Sequence, residues 1–282
     1  MVTIKKLYFS YNKQHRLFEE LNLTLAEGHI YGLLGKNGTG KTTLLNLVSG
    51  LLFPAEGKID VGGNIPEKRQ VGFLQNLFLV SEEFDAPDVT PKKYAALYAS
   101  FYPNFDAEQY DYYLREFDVN ADSTLHKMSM GQRKKAYIAF ALACNTPLLL
   151  MDEPTNGMDI PSKAQFRKLI ASVATENRCI VISTHQVRDL ENLIDTIVVL
   201  DGHRIVFNET VDAISETLSF VTYSGTSANV PFLYEETAAL GGKGIAKNES
   251  NVPSRVDIEL LFNGIVAENE RISELFTSKN LI

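Results

Sequence analysis

The amino-acid sequence predicts an α/β fold built on a mostly parallel sheet, and two features of the chain indicate it. Apolar strand runs at 148–151 and 179–183 are separated by a helical stretch over roughly 161–176. This strand, helix, strand order is typical of parallel strands joined by crossover helices. A glycine-rich loop at 35–40 also lies between an apolar strand and a helix that begins at Lys41. We therefore expect one central sheet with helices packed on it.

The other elements follow in chain order. Residues 1–31 alternate apolar and polar side chains in short bursts, which predicts an antiparallel β subdomain ahead of the loop. The run VGFLQ at 71–75 is interpreted as a strand. Residues 76–145 are dense in Tyr and Phe and are interrupted by prolines, so they are predicted to form a helical subdomain. Asp201-Gly202, between two apolar runs, predicts a β-hairpin because this pair suits a type I′ turn.

The chain divides into two predicted units. Its 282 residues, 45% hydrophobic and 22% charged, suffice for a full globular domain with an appendage. Residues 1–215 are predicted to be the main domain. Residues 216–282 are predicted to be a small C-terminal α/β appendage, in which LSFVTYSG reads as a strand and a helix with one apolar face opens near Asp257.

Charge and apolar patterning exclude several classes of protein. The net charge of −8 gives no electrostatic footprint for wrapping nucleic acid, so we predict no nucleic-acid partner. Cys144 and Cys179 lie in apolar runs and are expected to be buried, reduced thiols, which is consistent with a cytosolic chain. A membrane-spanning helix needs roughly 18 or more consecutive apolar residues, and the apolar runs here are shorter. We therefore expect that the chain does not cross a membrane by itself.

The loop Gly35-x4-Gly40-Lys41-Thr42 has the residues needed to hold phosphate groups. Its glycines let backbone N–H groups turn inward without Cβ atoms in the way, and the helix that follows directs the positive end of its dipole at the same anion. Lys41 would reach the β and γ phosphates of a nucleoside triphosphate, and the Thr42 hydroxyl would bind Mg²⁺. By itself, this loop suits a kinase, a switch GTPase, a motor or a transporter.

Two further strand ends carry candidate catalytic residues. The strand at 148–151 is followed by Asp152, which suits a Mg²⁺ carboxylate, and by Glu153, which is placed to polarise a water molecule for attack on the γ phosphate. His185 stands just beyond the strand at 179–183, on the edge where α/β sheets bind their ligands. Most histidines are surface or structural residues, but this position favours a γ-phosphate contact.

A second helix start is a candidate anion site. Ser129 and Gly131, with Gln132, open a helix whose N-terminus could bind another phosphate. Because the chain already has one phosphate loop, this second helix end suggests contact with a nucleotide that another molecule holds. Gln75, at the end of the predicted strand VGFLQ, is a further candidate, although a glutamine at a strand end is ordinary.

Taken in order, these motifs resemble the ATP-binding subunit of an ABC transporter over about residues 1–212. GKNGTGKTT resembles the Walker A loop, MSMGQ the LSGGQ signature, LLLMDEP the Walker B motif, and NGMD the D-loop. Gln75 falls at the Q-loop position, and His185 falls at the position of the switch histidine. Tyr11 matches the aromatic residue that stacks on adenine in this family. Six motifs in this order and spacing are highly specific.

The resemblance implies the P-loop NTPase fold of the ABC type, with ATP and Mg²⁺ as the bound cofactors and ATP hydrolysis as the activity. The site residues that it implies are Lys41, Glu153 and His185 for catalysis, Thr42, Gln75 and Asp152 for the metal, and Tyr11, Gly35, Lys36, Asn37, Gly38, Thr39, Gly40, Lys41, Thr42, Thr43, Ser129, Gly131 and Gln132 for the nucleotide.

The resemblance also implies partners. In this family two ATP molecules lie in a head-to-tail dimer, each between Walker A of one subunit and the signature of the other. We therefore expect a second ATP-binding subunit, as a homodimer, and an integral membrane permease. The chain would then be cytoplasmic and peripheral at the inner face of the cell membrane. Met128 and Met130 replace the Leu and Gly of the signature, whereas Ser129 and Gly131, which would touch the γ phosphate, are retained.

Two softer stretches narrow the resemblance, and one alternative stays open. The segment FYPNFD and the tail sequence VDIELLFNGIV resemble the branch that serves ABC-2 type exporters. The alternative is a soluble ABC-type ATPase that acts on ribosomes or DNA. Those relatives usually carry two fused nucleotide domains or a long coiled-coil insertion, whereas this chain has one Walker A motif and no heptad run. MSMGQ and His185 disfavour a kinase or GTPase, and the full catalytic set disfavours a non-hydrolysing regulatory subunit.

Overall fold

The computed structural model describes residues 1–12, 15–225, 230–250 and 252–277. Its strands are β1 (Val2–Asn12), β2 (His15–Leu25), β3 (Ile30–Leu34), β4 (Glu56–Val61), β5 (Leu77–Val80), β6 (Leu148–Asp152), β7 (Cys179–Thr184), β8 (Thr196–Asp201), β9 (Arg204–Thr210), β10 (Leu218–Ser224), β11 (Tyr234–Ala238) and β12 (Gly241–Lys247). Its α-helices are α1 (Lys41–Val48), α2 (Val71–Gln75), α3 (Pro91–Tyr98), α4 (Ala107–Glu116), α5 (Met130–Ala143), α6 (Ile160–Ser172), α7 (Val211–Thr217) and α8 (Ile258–Thr277). In these ranges, no helix combines the length and the apolar composition that crossing a bilayer requires.

The central sheet has the strand order β5-β6-β7-β3-β8-β9. Its first five strands are parallel neighbours, and β9 closes the edge by pairing antiparallel with β8. A separate antiparallel sheet, β2-β1-β4, is formed by the N-terminal strands and the segment after α1. The predicted α/β fold with a mostly parallel sheet and an antiparallel subdomain is therefore confirmed. Because β3, β6 and β7 run in the same direction, the residues that follow them meet at one edge of the sheet.

The central sheet is buried on both faces, which explains its continuous apolar strands. Leu148 and Leu150 of β6 pack into a cluster with α1 and the antiparallel sheet. Leu149 and Met151, which point to the opposite face, pack into a second cluster with α5 and α6. The two faces of β6 therefore belong to two different apolar clusters, one on each side of the central sheet.

The helices of the region 76–145 pack around an aromatic centre. The ring of Phe140 on α5 lies 5.0 Å from that of Tyr94 on α3 and 5.8 Å from that of Tyr110 on α4, both at near right angles. Such edge-to-face pairs add stability beyond the area that they bury. The Tyr and Phe side chains that are frequent in this stretch thus form the core of the helical region.

The boundaries at the start of this region differ from those predicted. VGFLQ forms the helix α2, and the strand is β5, which lies inside the range predicted as helical. The strand assignment of VGFLQ is therefore wrong. A five-residue apolar run is too short to show whether it follows the period of a helix or of a strand. The strand is the segment that finds a pairing partner in the sheet: β5 pairs with β6, with Val80 opposite Met151.

The C-terminal segment packs directly on the main domain. Strands β10, β12 and β11 form a three-stranded antiparallel sheet, and α8 covers it. The ring of Phe276 on α8 meets that of Phe207 on β9 edge-on at 5.2 Å, so the two units share one apolar cluster. The predicted boundary at 215/216 falls inside α7, and part of the predicted appendage lies outside the described residues.

Candidate functional site

The glycine-rich loop between β3 and α1 surrounds the ammonium group of Lys41. Lys41 Nζ donates hydrogen bonds to Gly35 O at 2.7 Å and to Lys36 O at 3.2 Å, and the side chain is buried. A Cβ atom on Gly35 would lie 2.6 Å from the carbonyl oxygen of Leu200. Gly40 has φ 109°, in the left-handed region that favours glycine. The loop therefore places a buried cation beside the free N–H groups of a helix start.

The carboxylate of Glu153, just beyond β6, contacts side chains from two other strand ends. Its Oε1 accepts from the backbone N–H of His185 at 3.0 Å and lies 2.8 Å from His185 Nδ1. Its Oε2 accepts from Thr184 Oγ1 at 3.1 Å. Lys41 Nζ lies 3.6 Å from Oε1. The structure thus brings together the three residues predicted as catalytic, because each follows one of three neighbouring parallel strands.

Oxygen donors at this edge fit a magnesium ion. Asp152 is buried, and its Oδ1 accepts from Ser183 Oγ at 2.5 Å, which fixes the orientation of the carboxylate. The Thr42 side chain is exposed and lines the same cavity as Glu153. Carboxylate and hydroxyl oxygens are the ligands that Mg²⁺ prefers, usually together with phosphate oxygens and water. Thr42 and Asp152 would therefore hold Mg²⁺ beside a phosphate bound in the loop.

The cavity over this edge has a volume of ≈ 600 Å³. The described residues that line it are Tyr11, Leu17, Asn37, Gly38, Gly40, Lys41, Thr42, Thr43, Glu82, Glu153, Asn156 and His185. Tyr11 is 64% exposed, and its hydroxyl group lies 2.8 Å from Thr43 Oγ1. The aromatic ring is thus anchored beside the loop with a face open to solvent, where it could stack on a base.

Among the described residues that line the cavity, none comes from α5. Ser129 caps this helix by accepting from the Gln132 N–H at 3.2 Å, and its side chain is exposed. Gln132 Nε2 points away, donating to Asp118 O at 3.4 Å. Gly131 lies beside the carbonyl oxygen of Gly157. One chain therefore presents this helix end outward and does not close it over its own loop.

The structure does not bring Gln75 to the site. Gln75 ends α2 and precedes β5, and its neighbour Asn76 accepts from the N–H of Leu148 at the start of β6. Since β5 and β6 are parallel, Gln75 lies at the sheet edge opposite to Asp152. Its assignment as a metal ligand is therefore wrong. The error followed from placing the strand at VGFLQ, which ends five residues before the end of β5.

Glu82 lies where Gln75 was expected. It follows β5 as Glu153 follows β6, and its Oε1 accepts from Asn156 Nδ2 at 2.9 Å. Asn156 Oδ1 in turn accepts from Gln186 Nε2 at 3.3 Å. Of these three side chains, Glu82 and Asn156 line the cavity. Sequence reasoning missed Glu82, although an acid two residues beyond the apolar run Leu77–Val80 was an available signal.

The fold and the site together define a nucleotide-binding protein with a phosphate loop. Residues 18–156 match the family described as ABC transporter. This stretch contains the phosphate loop, the helix start at Ser129, and Glu153. Over these residues the chain is a member of the ABC transporter family of ATP-binding proteins, and this domain is an ATPase of that class.

Curated relatives include ATP-binding proteins of import and other transport systems. An uncharacterized ABC transporter ATP-binding protein of Methanocaldococcus jannaschii is 27% identical over 254 residues, which are 88% of this chain and 92% of the relative. The bacitracin transport ATP-binding protein BcrA of Bacillus licheniformis is 32% identical over 193 residues, 67% and 63% of the two chains. The methionine import ATP-binding protein MetN of Carboxydothermus hydrogenoformans is 28% identical over 224 residues, which are 73% of this chain and 65% of the relative.

A solved structure shares the fold. It is the dimeric post-hydrolysis state of an ATP-binding cassette bound to ADP and phosphate, with a TM-score of 0.66 and 21% identity. The match covers 74% of this chain and 98% of that one. The central sheet and the helical region described above are therefore those of an ATP-binding cassette.

Proposed function

We propose that this protein is the ATP-hydrolysing subunit of a transporter, in which MgATP closes two subunits and its hydrolysis opens them. The observation that carries the proposal is the convergence of Lys41 and His185 on the carboxylate of Glu153 at the mouth of the phosphate loop. A cation, a carboxylate and an imidazole at this spacing suit phosphate binding, activation of water and recognition of the γ phosphate.

Each side chain has a role that follows from its position. Lys41 would bind the β and γ phosphates, because its ammonium group lies inside the loop. Glu153 would accept a proton from the attacking water, and His185 would orient the carboxylate and sense the γ phosphate. Thr42 and Asp152 would hold Mg²⁺, which neutralises charge on the phosphates. Glu82 would face the same ion in place of Gln75.

The outward position of Ser129 supports a site shared between two chains. Within one chain the cavity lacks any described contact from α5, so a second copy, arranged head to tail, would supply Ser129, Gly131 and Gln132. The dimeric cassette to which this chain is similar in fold supports the same arrangement. Closure would depend on the γ phosphate, and its removal would release the dimer.

We further propose that the work is done on a separate membrane permease and that the direction is export. The ABC-2 type sequence features support export, and the likeness to a bacitracin transport protein supports a role in transport. The protein would then lie in the cytoplasm at the inner face of the membrane. Residues 1–215 would carry the ATP-binding domain, and residues 216–282 would form the appendage.

Phosphate release from ATP by the purified protein tests the enzymatic part. Lys41→Ala should abolish hydrolysis because the phosphates lose their buried cation. Glu153→Gln should also abolish hydrolysis, but it should still bind MgATP and form a dimer that size-exclusion chromatography detects. Hydrolysis at the normal rate by Glu153→Gln would refute the role assigned to this carboxylate.

Co-purification tests the partner. The tagged chain, expressed with a membrane protein encoded beside it, should recover that protein from detergent extracts, and its ATPase activity should change in the complex. Recovery of ribosomes or DNA in place of a membrane protein would instead support the soluble alternative.

A further inference from the structure

Lys134 is a buried ammonium group that lies below the acids of the site. It belongs to α5, its residue exposure is 5%, and Nζ donates to the backbone oxygen of Glu153 at 2.8 Å. Burial lowers the pKa of Lys134, and the negative charges of Glu82, Asp152 and Glu153 act in the opposite direction. Burying a charge is unfavourable unless nearby groups compensate for it. A lysine buried at this position therefore has a cost that its contacts must offset.

The carbonyl group that Lys134 contacts belongs to a residue with an unusual backbone. Glu153 has φ 44°, in the left-handed region that is disfavoured for a residue with a side chain. Its N–H donates to Ser183 O at 3.1 Å, and its carbonyl accepts from Lys134. These two bonds hold the peptide groups on both sides of the Glu153 Cα atom. They therefore determine the direction in which the carboxylate leaves the backbone.

Lys134 also belongs to the helix whose first turn faces outward. Ser129 caps α5, and Lys134 lies five residues further on, about 7.5 Å along the helix axis. The next residue, Lys135, is buried, and its Nζ lies 3.4 Å from Ser162 Oγ in the first turn of α6. The segment 153–162 is thus in contact with α5 at both of its ends. A displacement of α5 would be transmitted to the turn at Glu153.

We propose that Lys134 is a positioning residue that couples closure of the Ser129 helix end on the partner's nucleotide to the orientation of Glu153 in its own site. The inference rests on the proposed function, because it requires two subunits that share their nucleotides. One subunit would become competent for hydrolysis when its α5 helix has engaged the nucleotide of the other. The ATPase activity would then depend on both sites being filled.

The decisive variants separate charge from hydrogen bonding. Lys134→Met keeps the length of the side chain and removes its donor, Lys134→Gln supplies a neutral donor, and Lys134→Arg keeps the charge. We expect Lys134→Met to lower kcat about 10-fold to 150-fold, the range for loss of a charged hydrogen bond, while KM for ATP changes less than about threefold. Lys134→Arg should recover most of kcat, and the Hill coefficient for ATP should fall toward one in Lys134→Met.

Three measurements distinguish positioning from loss of structure. In the Glu153→Gln background, Lys134→Met should still form the MgATP-dependent dimer, and its unfolding temperature should change little, because the loss of a buried charge offsets the loss of its hydrogen bond. The matched control is Lys168→Met, whose side chain is 70% exposed in an ion pair with Glu116 and should keep normal activity. If Lys134→Met does not fold, Lys134→Gln carries the same test with an intermediate kcat expected.

Two sets of results would overturn the inference. Normal kcat in a folded Lys134→Met protein would show that the contact with Glu153 is dispensable. A lower unfolding temperature together with lost dimerisation would show a structural role. The proposed function itself would fail only if the unchanged protein hydrolysed no ATP. Results from the Lys134 variants alone would therefore bear on this inference and not on the proposed function.

Discussion

His185→Ala is the sharpest test of the catalytic geometry. The ring Nδ1 of His185 lies 2.8 Å from Glu153 Oε1, while the backbone N–H of the same residue also donates to that oxygen at 3.0 Å. The substitution removes the ring contact and keeps the backbone contact. A hydrogen bond to a charged group contributes about 1.5–3 kcal/mol. If this contact persists in the transition state, kcat should fall about 10-fold to 150-fold.

The assay is steady-state phosphate release, combined with equilibrium binding of ATP. Affinity should change less than about threefold, because Lys41 and the loop are untouched. His29→Ala is a matched control: His29 Nδ1 also lies 2.8 Å from a carboxylate oxygen, that of Asp195, but at the opposite edge of the sheet. Its kcat should be normal. A His185→Ala enzyme with kcat within about twofold of normal would refute the reasoning.

Four further outcomes are expected. Glu82→Ala should raise the Mg²⁺ concentration needed for half-maximal ATPase activity, since a carboxylate is removed from the cavity; an unchanged Mg²⁺ titration would exclude Glu82 from the metal site. Arg178→Met should stabilise the fold by about 1–3 kcal/mol in urea titrations, because Nε and Nη2 of this buried side chain have no hydrogen-bond partner among the described residues; destabilisation would contradict this. Burial raises the pKa of Tyr102 from 10.0 to about 12, so the contribution of this side chain to stability is complete below pH 10 and is lost as pH rises through about 12. Tyrosinate absorbance should therefore rise together with the loss of circular dichroism, and ionisation of Tyr102 near pH 10 in the folded protein would contradict this expectation. Burial also raises the pKa of Cys179 to about 12, so thiol reagents should label it on unfolding and not before.

The central fold could be predicted because its elements are long or have unambiguous chemistry. The apolar run that became β6 reads as a strand buried on both faces, and the loop at Gly35 requires a strand before it and a helix after it. The hairpin at Gly202 was also predictable from its turn residues. In the structure its positive φ angles fall on Gly202 and His203, one residue later than a turn centred on Asp201-Gly202 would place them.

The sequence alone does not show which segment forms the strand next to β6. VGFLQ and LFLV are both short and apolar, and they are separated by one residue, so hydrophobic periodicity cannot tell which of them pairs with β6. The choice is made by a tertiary contact, the parallel ladder between β5 and β6. This one assignment decides whether Gln75 or Glu82 reaches the cavity. The error in the site was therefore an error in the placement of a strand.

The same reasoning explains why Lys134 has no signal in the sequence. A lysine in the second turn of a helix is normally a solvated residue, and the stretch GQRKKAY is strongly basic. Lys134 is buried because β6 ends below α5 and because three acids follow neighbouring strands to the same place. The negative charges of those acids partly compensate for the buried ammonium group. The unfavourable burial of this ammonium group is thus a consequence of packing α5, the helix that begins after Ser129, directly on the turn that carries Glu153.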